Sequence, residues 1–246
     1  MNPFLADIRR TFSFGADPRH GPLPPLLVAM TVVTGLVDAF SYLVLGHVFV
    51  ANMTGNVIFL AFALAGAPGF SIVASVLALV AVFAGASAGG ALGLRVGAHR
   101  GRLLARTAAA EAGLIGGALV LTALASHPLH VDTQYPVIAL MAMALGLQNA
   151  TARRLAVPDL TTTVLTLTIT GTAADRVRVD EEGRVHSSAG RRTVSVLSIA
   201  VGALVGALMV RHVSIDVPLA LAVVLLAGVG LAAAALGRSD PGWVGA

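Results

Sequence analysis

Six apolar stretches, separated by short breaks that gather nearly all the charge, constrain this chain more than anything else in it. They cover residues 26–46, 70–94, 103–125, 137–152, 194–210 and 219–236, and each is bounded by Pro, Gly or charge. Several reach the roughly 20 residues that an α-helix needs to cross a bilayer's hydrocarbon core. Inside lipid every backbone N–H and C=O must be paired within the protein, which leaves such segments only the helix. Charged residues are 11% of the chain, against about 25% in soluble domains. The predicted class is an all-α polytopic membrane protein.

All 16 basic residues are Arg, and they lie beside the apolar stretches. That placement reads as membrane orientation, so the expected surroundings are a lipid bilayer and not nucleic acid. With no cysteine, disulfides and thiolate metal sites are excluded. His47, His127, His130, His186 and His212 are scattered over breaks and span ends, without zinc-ligand spacing. There is no Ser/His/Asp arrangement, phosphate-binding loop or dinucleotide fingerprint. Neither an enzyme, a metal nor a cofactor is expected. The first 23 residues carry Arg9, Arg10, Arg19, Pro18 and Pro22 and no apolar core, so no cleaved signal is expected.

Two more stretches, 54–65 and 166–174, look helical but are short. At about 1.5 Å per residue each covers only about half the core. Arginine placement decides how they run. If 54–65 crossed fully, the break 95–106 with its four Arg would face outward, against the positive-inside rule. If it enters and leaves by one face, those Arg return to the cytoplasm. The same reasoning puts 153–192, with seven Arg, inside and 126–134, with none, outside. The predicted topology is six transmembrane helices plus two re-entrant half-helices, with both termini cytoplasmic. It leaves only Arg211 outside.

Three crossings and one re-entrant segment in each half make the halves upside down relative to one another. The expected organisation is a cytoplasmic tail 1–23, repeats at 24–126 and 134–237 with a solvated loop at 175–192, and a cytoplasmic tail 238–246. Short echoes support a duplication. Gly35-Leu36-Val37-Asp38-Ala39 resembles Gly146-Leu147-Gln148-Asn149-Ala150. Gly85-xxx-Gly89 before Arg95 resembles Gly202-xxx-Gly206 before Arg211, and Met53-Thr54-Gly55-Asn56 falls opposite Leu165-Thr166-Leu167-Thr168. The Gly series read as close helix-packing faces, within one chain or in a homo-oligomer. Inverted-topology repeats are a recurring plan of secondary transporters, which bind substrate near the midplane between repeats.

Residues 47–53 can run extended into the membrane, with Asn52 or Thr54 capping the returning half-helix. From the other face, 158–165 would enter and 166–174 return. Both N-termini would then meet near the midplane and offer unpaired N–H groups to a small polar or anionic solute. The predicted solute contacts are Asn52, Thr54, Gly55, Asn56, Thr166 and Thr168, joined by Gln148 and Asn149, the counterparts of Asp38. Asp38, a carboxylate midway along the first span, is the candidate for proton or ion coupling. Glu111, about two turns into its span, reads as slightly more structural than functional.

The motifs Gly35-Leu36-Val37-Asp38-Ala39, Val48-Phe49-Val50-Ala51-Asn52-Met53-Thr54-Gly55-Asn56 and Gly146-Leu147-Gln148-Asn149-Ala150 resemble the YoaK-type family of bacterial integral membrane proteins. The resemblance covers nearly all of residues 24–236. In the second half the family often has a Thr-Thr-x-x-Thr-Gly pattern. Here Thr162-Thr163-Val164-Leu165-Thr166 matches and Leu167 stands in place of the Gly. The resemblance implies a location in the cytoplasmic (inner) membrane and supplies no activity. The expected function is therefore a small secondary transporter, with a passive channel or a non-transporting scaffold as the alternatives.

Overall fold

The computed structural model describes residues 3–14, 17, 19–158, 160, 162–163, 166–174, 178–179, 185–186, 189–239 and 243–245. Among these residues six helices are long and apolar enough to cross a membrane. They are α2 (Leu23–Val44), α4 (Ile72–Val96), α5 (Arg100–Leu124), α6 (Val131–Leu155), α8 (Ala189–His212) and α9 (Val217–Ser239). Three shorter helices accompany them: α1 (Pro3–Phe12), α3 (Met53–Leu64) and α7 (Thr166–Ala174). Outside helices, the described residues hold one two-stranded antiparallel ladder of Arg178–Val179 with Val185–His186. It lies in the stretch expected to be a solvated loop, most of which falls outside the described residues.

Helix ends follow local chemistry. Two prolines in the first turn set the start of α2, where their missing N–H groups cost nothing. Ser71 accepts from Ala74 N–H at 3.2 Å to cap α4, and the ring of His99 accepts from Arg102 N–H at 3.1 Å to cap α5. Helix α6 begins at Val131, ahead of the expected 137, because Pro136 sits inside it. The cost falls near the helix end, and the helix runs through. Helix α8 likewise starts ahead of the expected 194, extending the span through Arg191 and Arg192.

The long helices cross in a recurring pattern: α2 packs on α8 and α4 on α6, α5 packs on both α6 and α9, and α2 also packs on α9. Glycines make the first two crossings close. A Cβ on Gly35 would overlap Ile199 O, and one on Gly202 would overlap Val32 O. At the other crossing, a Cβ on Gly146 would overlap Val82 O and one on Gly85 would overlap Met143 O. Without a hydrophobic drive between helices in lipid, this backbone-to-backbone approach is the main source of adhesion. Phe40, Leu36, Leu104, Ile115, Ile138, Met141 and Leu145 fill the interior.

One end of the bundle collects arginine. The Arg100 guanidinium donates to Leu155 O at 2.6 Å and Arg19 O at 3.2 Å, and lies 2.9 Å from His20 Nδ1. Arg191 pairs with Asp17 at 3.2 Å, and its backbone N–H donates to Asp7 of α1 at 2.8 Å. From the opposite terminus, Trp243 packs over Gly21 and Gly101, while Val244 O accepts from Arg100 N–H at 3.0 Å. Burial alone would raise the Asp17 carboxyl. Backbone N–H donors from His20 and Arg19, with the charges of His20 and Arg191, hold it below its ordinary range instead.

Candidate functional site

Between α2 and α3 the chain is non-helical and held by two polar side chains. Asp38 Oδ1 accepts from Val50 N–H at 3.0 Å and Ala51 N–H at 2.8 Å. Asn56, fully buried, grips Phe49 at two points: its Oδ1 accepts from Phe49 N–H at 2.9 Å and its Nδ2 donates to Phe49 O at 2.6 Å. Buried backbone groups without such partners would be expensive in this setting. Asn52 caps α3 as expected, accepting from Gly55 N–H at 3.4 Å. Thr54 is exposed, and Gly55 leaves space for the Phe49 ring, which would stand 2.8 Å from a Cβ there.

An aromatic cluster surrounds this junction. Phe49 stacks between Tyr42 and Phe59, with ring centroids 5.0 and 5.6 Å away, and Phe59 reaches Phe70 at 5.2 Å. His47, at a positive φ of 59°, approaches Gly69 O at 3.2 Å through Nδ1. The chain thus leaves α2 and enters α4 at neighbouring points, with α3 folded between. Sequence reading missed this cluster; its signal is the concentration of aromatics between residues 42 and 70.

The second half repeats the device with different chemistry. Asn149 occupies the place in α6 that Asp38 has in α2, and its Oδ1 accepts from the Thr163 hydroxyl just before α7. Arg191 Nη1 reaches Pro158 O at 3.4 Å, bringing the entry and exit of this segment together. Thr166 is exposed at the start of α7, and Thr168 is buried. Arg192 lies against Gly171, where a Cβ would stand 2.6 Å from its Nη1. Thr161, Val164 and Leu165 lie outside the described residues.

A third polar group occupies the bundle centre. Gln148 donates from Nε2 to the Thr34 hydroxyl at 2.9 Å, and Thr107 bonds Thr151 at 2.8 Å. Gln148 and Asn149, expected to face the same cavity, therefore serve different groups. Adjacent helix positions point about 100° apart, since a turn takes 3.6 residues. Helix α3 packs on α4, and α7 on α8. A hollow at one end is lined by Leu45, Gly46, Phe70, Ser71, Gln134 and Tyr135, and an apolar one by Ile169, Ala173, Val196 and Leu197. None of the solute contacts expected from sequence lines either hollow. Among the described residues no three His, Asp or Glu side chains converge where a metal could sit.

A family model described as protein of unknown function (DUF1275) matches residues 26–232. The chain is 29% identical over 200 residues to the UPF0700 transmembrane protein YoaK of Bacillus subtilis (strain 168), covering 74% of this chain and 82% of the relative. The resemblance read from the motifs is thus sound. No solved structure matches.

Proposed function

This chain belongs to the DUF1275 family, and we propose that it is a small secondary transporter built from two inverted-topology repeats. The observation that carries the reading is the twin junction. Asp38 and Asn149, at equivalent places in the two halves, each hold the segment that leads into a short helix. The repeated crossings of Gly35 with Gly202 and Gly146 with Gly85 support the same duplication. The closures of His47 on Gly69 and of Arg191 on Pro158 favour both short segments as re-entrant. In this reading the arginine-rich end and both termini are cytoplasmic in the inner membrane.

The solute is a small polar or anionic molecule, met by the N-terminal N–H groups and positive dipole ends of α3 and α7. Thr54 and Thr166, exposed at those ends, supply hydroxyls, with Asn52, Gly55 and Thr168 beside them. Asn56 and Asp38 act one step back, since their polar atoms already hold backbone. The geometry favours Asp38 as a positioning group over the coupling role expected from sequence.

A proteoliposome flux screen over small anions and polar metabolites tests the proposal. Accumulation above equilibrium, lost when the proton gradient is dissipated, is the expected result. Uptake that only equilibrates would make the protein a channel. No flux of any solute, with a partner that co-purifies stably, would make it a scaffold.

A further inference from the structure

We propose that Glu111 is a proton-binding site at the centre of the bundle, carrying the coupling ion of the transport reading on which this inference rests. Glu111 lies in the fourth turn of α5 and is fully buried. Neither of its carboxyl oxygens has a hydrogen-bond partner among the described residues. A carboxyl group inside a membrane is expensive and occurs where it is used. An ionised one without a partner would be the costliest arrangement, so this packing suits the neutral acid.

The surrounding layer has an opening for that acid's proton. One turn before Glu111, Thr107 bonds Thr151 of α6. Helices α5 and α6 are joined by the short break 125–130, so they run antiparallel. One turn up α5 from Thr107 to Glu111 is therefore matched by one turn back along α6 from Thr151 to Gln148. At about 1.5 Å per residue the two steps are nearly equal, which puts Glu111 and Gln148 in one layer. Gln148 is also fully buried; its Nε2 is spent on Thr34, and its Oε1 has no partner among the described residues. The layer thus contains a carboxyl lacking a donor and an amide oxygen lacking one. A proton on Glu111 would supply the donor that the Gln148 oxygen lacks.

Among the described residues no fixed charge competes in that layer. Helix α9 carries no ionisable side chain before Arg238, and α4 has only Arg95, near its end. Helix α6 has Asp132 and Tyr135 in its first turns and Arg153 and Arg154 in its last. On α5 itself, Arg102 and Arg106 are exposed and Arg100 is committed to Leu155, Arg19 and His20. Helix α2 contributes Asp38, held by Val50 and Ala51, and Tyr42, one turn further along α2 in the aromatic cluster. When the layer opens to water, the Glu111 O–H bond breaks, the proton passes to that water and the electron pair stays on the carboxylate. Reclosure on the other side requires a proton to return.

The full-length protein in a detergent without ester groups tests this by infrared absorption of the protonated carboxyl C=O stretch. Wild type at neutral pH is expected to show the band, Glu111→Gln to lose it and Asp38→Asn to keep it. A wild-type spectrum without the band overturns the proposal whether or not any variant folds, and so does a band that survives Glu111→Gln. In flux assays, Glu111→Gln should lose gradient-driven accumulation while retaining solute exchange, because the amide mimics the neutral acid. Accumulation undiminished in that variant also overturns the proposal. If wild type moves no solute, the transport reading fails, and the infrared band still decides whether Glu111 holds a proton.

Discussion

Gly89 and Gly206, on different helices, occupy equivalent seats. A Cβ on Gly89 would stand 3.0 Å from Leu147 O, and one on Gly206 would stand 3.0 Å from Leu36 O. An alanine methyl stands beside each as well, Ala150 at 2.8 Å for Gly89 and Ala39 at 3.1 Å for Gly206. Two crossings therefore share one design, in which a glycine seats a carbonyl oxygen and an alanine methyl of the neighbouring helix.

That design makes the crossings intolerant of bulk. Gly85→Val and Gly202→Val each force a methyl-bearing carbon into a carbonyl oxygen, Met143 O in one case and Val32 O in the other. Overpacking of this kind costs about 1–3 kcal/mol, and more where backbone cannot retreat. Thermal unfolding in detergent should show a clear fall in Tm for both. Gly90→Ala, which meets nothing within 4 Å, should leave Tm unchanged. Equal behaviour of the three variants would remove the close-crossing account.

The junction before α3 should loosen when its clamp is removed. Asn56→Ala leaves both backbone groups of Phe49 without their partner in a buried site. Each such group costs about 1–3 kcal/mol. Asp38→Asn keeps an acceptor oxygen for Val50 and Ala51, so its effect should be smaller than that of Asp38→Ala. With a single cysteine placed at residue 48, buried in the native junction, thiol labelling rates report the opening. Asn56→Ala should accelerate labelling, and an unchanged rate would count against the clamp.

Docking of the N-terminal segment should weaken in mild acid. His20 is held below its ordinary value of 6.5, first by burial and then by Arg100, Arg191 and Arg19, with Asp17 opposing. A group whose folded-state value is depressed adds stability that is present above its unfolded value and lost as pH falls through the folded one. The loss therefore begins below 6.5, where a protonated ring can no longer accept from Arg100. Asp17, also depressed, adds a second loss at lower pH with the same sign. Trp243, the single Trp, lies against Gly21 beside this cluster, and its fluorescence should report the change. His20→Gln should abolish the step that starts below 6.5 and leave the lower one.

How much of this was legible in sequence depended on whether a signal was local. Apolar length and arginine position mark the six long helices, and Asn52 before Met53 marks the cap of α3. The Gly85/Gly89 and Gly202/Gly206 series mark close helix-packing faces. Contacts across sequence were not legible. Nothing near Asp38 says that its oxygen will hold Val50 and Ala51, and nothing near Gln148 says that it turns to Thr34. Glu111 read as slightly more structural than functional, because its full burial depends on where α6 and α9 stand. The short helix α1 and the seat of Trp243 were missed for the same reason. Their contacts come from opposite ends of the chain.

The path of α3 can be decided by labelling, since the chain has no cysteine to remove. Single cysteines at Ala65, Ala98 and Ser126, all exposed, sample three successive breaks. If α3 enters and leaves by one face, Ala65→Cys and Ser126→Cys react with an impermeant reagent from the periplasm, and Ala98→Cys reacts only from the cytoplasm. If α3 crosses, all three assignments invert, which would put Arg95, Arg100, Arg102 and Arg106 outside against the positive-inside rule. The contact of His47 with Gly69 favours the first outcome, because a helix of 12 residues rises only about 18 Å. A crossing helix would have to separate those two residues by the thickness of the hydrocarbon core, about 30 Å. Cytoplasmic labelling at Ala65→Cys would therefore overturn both the re-entrant path and the inverted relation of the two halves.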